Sequence, residues 1–333
     1  MTRTKAHSGP PSRRPAYLVL GMHRSGTSAA TQLLALAGAN LPGQVMAGDA
    51  HNEKGYFEPW RIAVFNDARL RAGGGAWDDP FRHPYVSLGE PEEADWRARA
   101  GALFAEEYAE AAIPLLKDPR VSVLMPLWRP VLEAAGFELR VVIPVRHPLA
   151  VAGSLARRDG FPIAKSVLLW TAYMLAAEAG SRGLPRAFVD YDALLADWRA
   201  ETGRIEAAHG APLPDLSANA AREIDAFLSP ELRHNAGTGD LAAIAEWGAD
   251  AQAVFDWFKA AASGPPPSAK PLEAAAKRLE VLRQRIGSLV SPVTRDLDQT
   301  RSDLADARRL HAFKTQEREI QMAEALDGLL ARR

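Results

Sequence analysis

The 333-residue chain contains no cysteine. It therefore has no disulfide, no thiolate-bound zinc and no cysteine nucleophile, and this fits a reducing compartment, so we expect a cytoplasmic protein. No apolar run approaches the roughly 18 residues that a membrane span needs. The formal net charge is only -1, which argues against a general nucleic-acid or anionic-membrane binder. Any anion site must therefore be local.

The chain begins with a basic stretch rich in Pro and Ser, residues 1–15, which has no apolar segment before the first predicted strand. We expect a flexible tail there and not a secretory signal. The remainder predicts an α/β domain over residues 16–262, a Pro-rich linker over 263–271 and a helical, coiled-coil-like extension over 272–333.

The extension carries apolar residues at alternating steps of three and four, the spacing of a coiled-coil seam. They are Leu272, Ala275, Leu279, Leu282, Ile286 and Leu289, after which Pro292 interrupts the pattern. Two interpretations stay open. The seam joins two copies of the chain into a homo-oligomer, or it is the buried face of an amphipathic helix on its own domain.

Four apolar stretches predict strands: residues 17–20, 113–116, 139–145 and 187–191. They alternate with helical stretches such as 163–180, which predicts a parallel sheet flanked by helices on both faces. Ligands of such sheets bind beyond the carboxyl ends of the strands. Residues 21–28, Lys117, Arg146 and Tyr191 all follow strands, so we expect them to converge on one site.

A missing lysine says most about function. Residues 21–28 read G-M-H-R-S-G-T-S between a predicted strand and a predicted helix, a junction that aims backbone N–H groups at a phosphate. Gly21 and Gly26 have the spacing of the triphosphatase loop G-x-x-x-x-G-K-[ST], but Thr27 stands where the Lys belongs. Arg24 is the one Lys or Arg in this loop. The loop predicts a bound phosphorylated nucleotide that is not a triphosphate handled in the usual way.

A second anion subsite is predicted after the strongest strand. A magnesium-dependent kinase should offer an Asp there, whereas this chain has Arg146. Ser154 follows eight residues later, and we expect it in the first turns of a helix, where its hydroxyl and free N–H groups could share a phosphate. The two subsites together predict a nucleotide with two separated phosphates.

Four segments come in the order seen in the sulfotransferases that use 3′-phosphoadenosine 5′-phosphosulfate. They are G-M-H-R-S-G-T-S, K-D-P-R, V-R-H-P-L-A-V-A-G-S-L-A-R-R and V-D-Y-D-A-L-L. Over about residues 16–200 the chain resembles bacterial members of that family, and its loop and K-D-P segment resemble the tyrosylprotein sulfotransferase branch. The resemblance implies a P-loop-like α/β domain that transfers a sulfuryl group to a hydroxyl or amine, a saccharide being one candidate, with no metal ion.

The resemblance also implies roles by position. The loop would cradle the 5′-phosphosulfate with His23, Arg24, Ser25, Gly26, Thr27 and Ser28. Arg146 and Ser154 would hold the 3′-phosphate, and Tyr191 would lie near the nucleotide. Lys117 would reach the bridging oxygen or the sulfuryl group. Cations at Arg24 and Lys117 suit this chemistry, because negative charge develops on the leaving phosphate oxygen.

The acceptor must lose a proton, and a nearby carboxylate or imidazole should take it. Glu58 is the preferred candidate, because K-G-Y-F-E follows the loop helix much as a catalytic Glu does in the tyrosylprotein branch. Glu53 and His23 remain alternatives. Arg120 and Arg158 could contact phosphate or pair with carboxylates.

Two other functions stay open at this point. One is a P-loop kinase or nucleotide hydrolase with an atypical loop, against which the Thr27 position argues. The other is a non-catalytic nucleotide-binding module that presents the C-terminal helix to a partner. The sequence does not identify the acceptor.

Overall fold

Four parallel strands lie at the centre of a computed structural model that describes residues 13–46, 48, 55–228, 237 and 239–330. They are β1 (Arg14–Val19), β2 (Leu115–Lys117), β3 (Phe137–Val145) and β4 (Arg186–Asp190), in the spatial order β2-β1-β3-β4. Val19 pairs with both Lys117 and Val142, and Val145 pairs with Asp190, so all four carboxyl ends meet at one edge. The predicted α/β class with a helix-flanked parallel sheet is confirmed.

Eleven helices surround this sheet within the described ranges. They are α1 (Thr27–Leu36), α2 (Trp60–Ala72), α3 (Glu92–Glu107), α4 (Val121–Ala134), α5 (Pro148–Asp159), α6 (Ile163–Ser181), α7 (Tyr191–Ala196), α8 (Trp198–His209), α9 (Ala218–Phe227), α10 (Gly248–Ser263) and α11 (Lys270–Leu330). In the part of the chain that is described, no single helix has the length and apolarity of a membrane span. Helices α5 and α6 meet that test only as a pair, and they are bent by 117°.

Each face of the sheet has its own apolar core, because successive side chains of a strand point to opposite faces. From β1 and the residue after it, Leu18 and Leu20 enter the larger core, which includes residues of α2, α4, α6 and α10. Tyr17 and Val19 enter the smaller core with residues of α1, α7 and α8. Burial on both faces explains why the strands read as continuous apolar runs.

Helix α11 packs on its own domain over its first turns. Leu272, Ala275 and Leu279 are buried in the larger core, as the amphipathic interpretation predicts. The helix continues through Pro292, where the seam pattern breaks but the backbone does not. Leu282 is still partly buried against this core, and beyond it the apolar stripe becomes exposed, with Leu289 71% exposed. A seam between two copies stays a prediction for that exposed part.

Replacement of two leucines of the same predicted seam by alanine should therefore affect the free energy of unfolding differently. Leu279→Ala leaves a cavity in the larger core and should lower the free energy of unfolding by about 2 to 4 kcal/mol. Leu289→Ala removes an exposed side chain and should change it by less than about 0.5 kcal/mol. Denaturant unfolding at low protein concentration measures both. Equal effects would contradict the docking of α11 on its own domain.

Candidate functional site

The loop after β1 turns into α1 at Gly26, which has a left-handed backbone with φ +91°. A Cβ atom at Gly26 would lie 2.3 Å from Cδ2 of Tyr191, so this position needs glycine for its conformation and for space. Tyr191 is the first residue of α7 and not the end of β4, which corrects the predicted strand. Among the described residues no side-chain hydrogen bond caps the start of α1, and uncapped N–H groups at a helix start can bind an anion.

Arg24 connects the loop to the end of β3. Its own backbone is left-handed, with φ +68°, a conformation that is uncommon for a side chain of this size. Its Nε donates a hydrogen bond of 2.8 Å to Ser154 Oγ, and its carbonyl accepts one of 3.0 Å from Arg146. The Arg146 guanidinium lies 4.6 Å from the ring centroid of Tyr191. The residues predicted for two separate anion subsites are thus joined by direct contacts.

Ser154 contributes less than expected to this cluster. Helix α5 begins at Pro148 with His147 as its N-cap, which places Ser154 in the second turn. Its N–H is therefore used within the helix, and the predicted free N–H donors are wrong. The buried hydroxyl is its functional group, and it already accepts from Arg24.

Lys117, the last residue of β2, forms a buried ion pair with Glu58. Its Nζ lies 2.7 Å from Glu58 Oε1, donates to the Tyr56 carbonyl at 2.7 Å and reaches Ser28 Oγ at 3.5 Å. Lys117 is 1% exposed and Glu58 4%. Charges so far from water persist because they are paired and hydrogen-bonded. The predicted cation and the predicted base are therefore direct partners beside the start of α1.

Arg120 lies next to this ion pair and forms ion pairs with neighbouring carboxylates. It donates to Asp67 at 2.5 Å and to Asp118 at 2.9 Å, and it lies 3.8 Å from Glu58 Oε2. Burial would lower the pKa of Arg120, but the carboxylates of Asp118, Asp67 and Glu58 raise it well above its ordinary value. Asn66 donates to the other oxygen of Asp118. Of the two predicted roles, Arg120 has the carboxylate-pairing one here.

His23 is buried on the other side of the loop. Its ring centroid lies 4.7 Å from that of Trp77 and 6.0 Å from that of Tyr173. Its pKa is well below the ordinary value because burial disfavours the charged form, and the cations Arg120, Arg158, Lys117 and Arg24 add to this. His23 is therefore a neutral imidazole, and its Nε2 has no hydrogen-bond partner among the residues described.

The remaining predicted residues are Ser25, Thr27 and Glu53. Ser25 is buried with an Oγ that lacks a partner within the described ranges, and Thr27 is buried at the first turn of α1. Glu53 lies outside the residues that the structure describes. Within those ranges, no group of three or more His, Asp or Glu side chains is placed to hold a metal ion.

Comparison with known proteins gives weak likenesses. No family model and no curated protein matches the chain. The sulfotransferase domain from the Synechococcus PCC 7002 olefin synthase is similar at 19% identity and a TM-score of 0.42, over 75% of this chain and 97% of that one. The sulfotransferase domain from the curacin biosynthetic pathway is similar at 13% identity and a TM-score of 0.38, over 81% of this chain and 99% of that one. Likenesses this distant do not decide function, which has to be argued from the chain's own residues.

Burial of neutral His23 makes stability depend on pH. Its pKa is lower in the folded than in the unfolded chain, so the unfolded state binds more protons below about pH 6.5. The contribution of neutral His23 to the free energy of unfolding should therefore be complete above about pH 6.5 and decrease as the pH falls. In His23→Phe this loss between about pH 6.5 and 5 should be smaller by about 1 to 2 kcal/mol.

Denaturant unfolding across this pH range provides the measurement. His83→Phe serves as a second case, because burial lowers the pKa of His83 to about 4. An unchanged pH slope in His23→Phe would contradict the neutral, buried imidazole.

Proposed function

We propose that the chain is a sulfotransferase that moves a sulfuryl group from 3′-phosphoadenosine 5′-phosphosulfate to a hydroxyl or amine acceptor. The observation that carries the proposal is the meeting of the loop, Lys117 and Arg146 at the carboxyl edge of three adjacent strands. Arg24, Lys117 and Arg146 therefore all lie on segments that border the loop or the start of α1. Such an arrangement suits an anion whose charge grows during transfer.

The donor set fits a nucleotide with more than one anionic group. The loop offers to a phosphosulfate the first N–H groups of α1 and the buried hydroxyl of Ser25, which has no hydrogen-bond partner among the described residues. Arg146 and Ser154 would hold the further phosphate, and the Tyr191 ring, already against Arg146, would lie beside the nucleotide. When bound, this donor supplies the sulfuryl group, while Arg24 and Lys117 of the chain stabilise negative charge on the phosphate side.

Glu58 is the proposed acceptor of the hydroxyl proton. Its carboxylate is held by Lys117 through Oε1, and Arg120 lies near Oε2, which fixes its orientation at the edge of the site. A base must lie within hydrogen-bond reach of the proton that it removes. We propose that an acceptor hydroxyl binds against this carboxylate, with Lys117 able to shift from Glu58 toward the developing charge.

Thermal unfolding with nucleotides tests the proposed donor. Adenosine 3′,5′-bisphosphate should raise Tm in the absence of magnesium, because it binds the folded state. Arg146→Ala should reduce this shift, since it removes a charge-assisted contact worth about 1.5 to 3 kcal/mol. Arg199→Ala is the matched control, because Arg199 of α8 forms an exposed ion pair with Asp225 of α9.

Thermal unfolding, together with an assay of sulfate transfer, separates the other two functions. Stabilisation by ATP with magnesium but not by the bisphosphate would favour an atypical kinase or hydrolase. Stabilisation by the bisphosphate with no transfer to any acceptor would favour a non-catalytic module.

Glu58→Gln tests the proposed base. It keeps the shape of the side chain but removes its proton-accepting charge, so turnover should fall by about 10²- to 10⁴-fold. Binding of the bisphosphate should be retained. Steady-state transfer of labelled sulfate measures the first effect, and the thermal shift measures the second. Glu133→Gln is the control, because Glu133 forms a partly exposed ion pair with Arg129 on α4. Unchanged turnover would transfer the role to Glu53 or His23.

A further inference from the structure

We infer that the acceptor carries an anionic group and that three cations beside the loop bind it. This inference rests on the proposed sulfuryl transfer. The three residues are Arg158 on α5, Lys165 on α6 and Arg301 on α11, and we call them the cationic rim. Arg158 and Lys165 come from consecutive helices, whereas Arg301 lies far along the chain, on α11.

The cationic rim surrounds one aromatic pair. The rings of Trp77 and Phe161 stack with centroids 5.7 Å apart. The Arg158 guanidinium lies 5.3 Å from the Trp77 centroid, the Lys165 ammonium 4.0 Å from the Phe161 centroid, and the Arg301 guanidinium 6.0 Å from the latter. Cations over aromatic faces are held in place while staying partly hydrated. The three charges are therefore fixed around one point.

This point adjoins the loop. Trp77 packs against the ring of His23, and His23 directly precedes Arg24. Arg158 lies one helical turn beyond Ser154, the residue that accepts from Arg24. A group bound at the cationic rim would thus belong to a molecule that also reaches the loop.

Charge and exposure favour an anion there. Lys165 and Arg301 share one carboxylate oxygen, Asp78 Oδ2, at 2.7 and 3.6 Å. The Asp78 side chain is 1% exposed, whereas that of Lys165 is 30% and that of Arg301 48% exposed. Arg158 pairs with Asp159 at 2.9 Å. The three cations of the rim thus pair with only two carboxylates, those of Asp78 and Asp159. Because the Asp78 carboxylate is buried, the cations are the groups that face solvent beside it.

The position of α11 gives Arg301 a fixed place at this rim. Asp298, one turn earlier, is buried and receives a 2.7 Å hydrogen bond from Arg71 of α2. Ser291 and Thr294 are buried along the same side of the helix. The helix is thus docked up to the residue that the rim uses. Recognition of the acceptor would then depend on a segment outside the α/β domain predicted from the sequence.

Matched pairs of probes test this inference. The members of each pair share their hydroxyl groups and differ in charge: N-acetyltyrosine with N-acetyltyrosinamide, and 4-nitrophenyl glucuronide with its uncharged amide, 4-nitrophenyl glucuronamide. Binding of each is measured by calorimetry on the full chain saturated with adenosine 3′,5′-bisphosphate. The wild type should prefer the anionic member of at least one pair, and Lys165→Gln and Arg301→Gln should each weaken that binding about tenfold.

Two controls separate charge from structure. Arg295→Gln removes a partly exposed cation of α11 that pairs with Asp296, and it should leave the preference intact. Lys165→Arg keeps the charge and should retain anion binding. No preference for an anionic member in the wild type, or equal losses in Arg295→Gln and Arg301→Gln, would overturn the inference. If instead the proposed function is wrong, adenosine 3′,5′-bisphosphate will not raise the Tm of the protein, and this result is separate from the preference between probes.

Discussion

The buried ion pair between Lys117 and Glu58 is the interaction on which the site depends. It joins the end of β2 to the segment before α2, and Lys117 also reaches Ser28 at the start of α1. Removing one partner of such a pair leaves an uncompensated charge away from water, at a cost of about 3 to 5 kcal/mol. Apolar residues of similar volume at these two positions would give the fold about the same stability. The presence of the pair therefore fits the proposed role in binding or chemistry. Arg120, which pairs with Asp118, also lies next to Glu58.

An almost neutral chain can still present cations locally, where carboxylates are more buried than the cations that pair with them. Asp118 and Asp78 are buried, and their partners Arg120 and Lys165 lie closer to solvent. In the Lys117–Glu58 pair both side chains are buried. Interactions between such charges are weakly screened by salt, since they lie partly out of water. At Asp118 and Asp78, the cationic member of the pair is therefore the one nearer to solvent, although the sum of charges over the chain is -1. Net charge alone describes the whole surface and does not describe these pairs.

The sequence predicts the parts of the site that are local in the chain. The strand ends follow from apolar runs, and the loop follows from the spacing of Gly21 and Gly26. The second turn of α5 at Ser154 and the helical start at Tyr191 depend on where a helix begins, which composition defines poorly. Asp67, Asp78 and Arg301 have no sequence signal, because their partners lie far along the chain. Only the folded arrangement reveals such pairs.

Helix α11 shows why a periodic pattern has more than one structural outcome. Its steps of three and four predict one apolar stripe, but the domain covers only the first part, at Leu272 and Leu279. From Ser291 to Asp298 a different side of the helix is buried, and it contacts the domain through polar groups such as Arg71. Apolar packing thus fixes the start of the helix, and ion pairs fix its direction. Because the same polar contacts position Arg301 beside Asp78, the extension would couple its docking to acceptor binding.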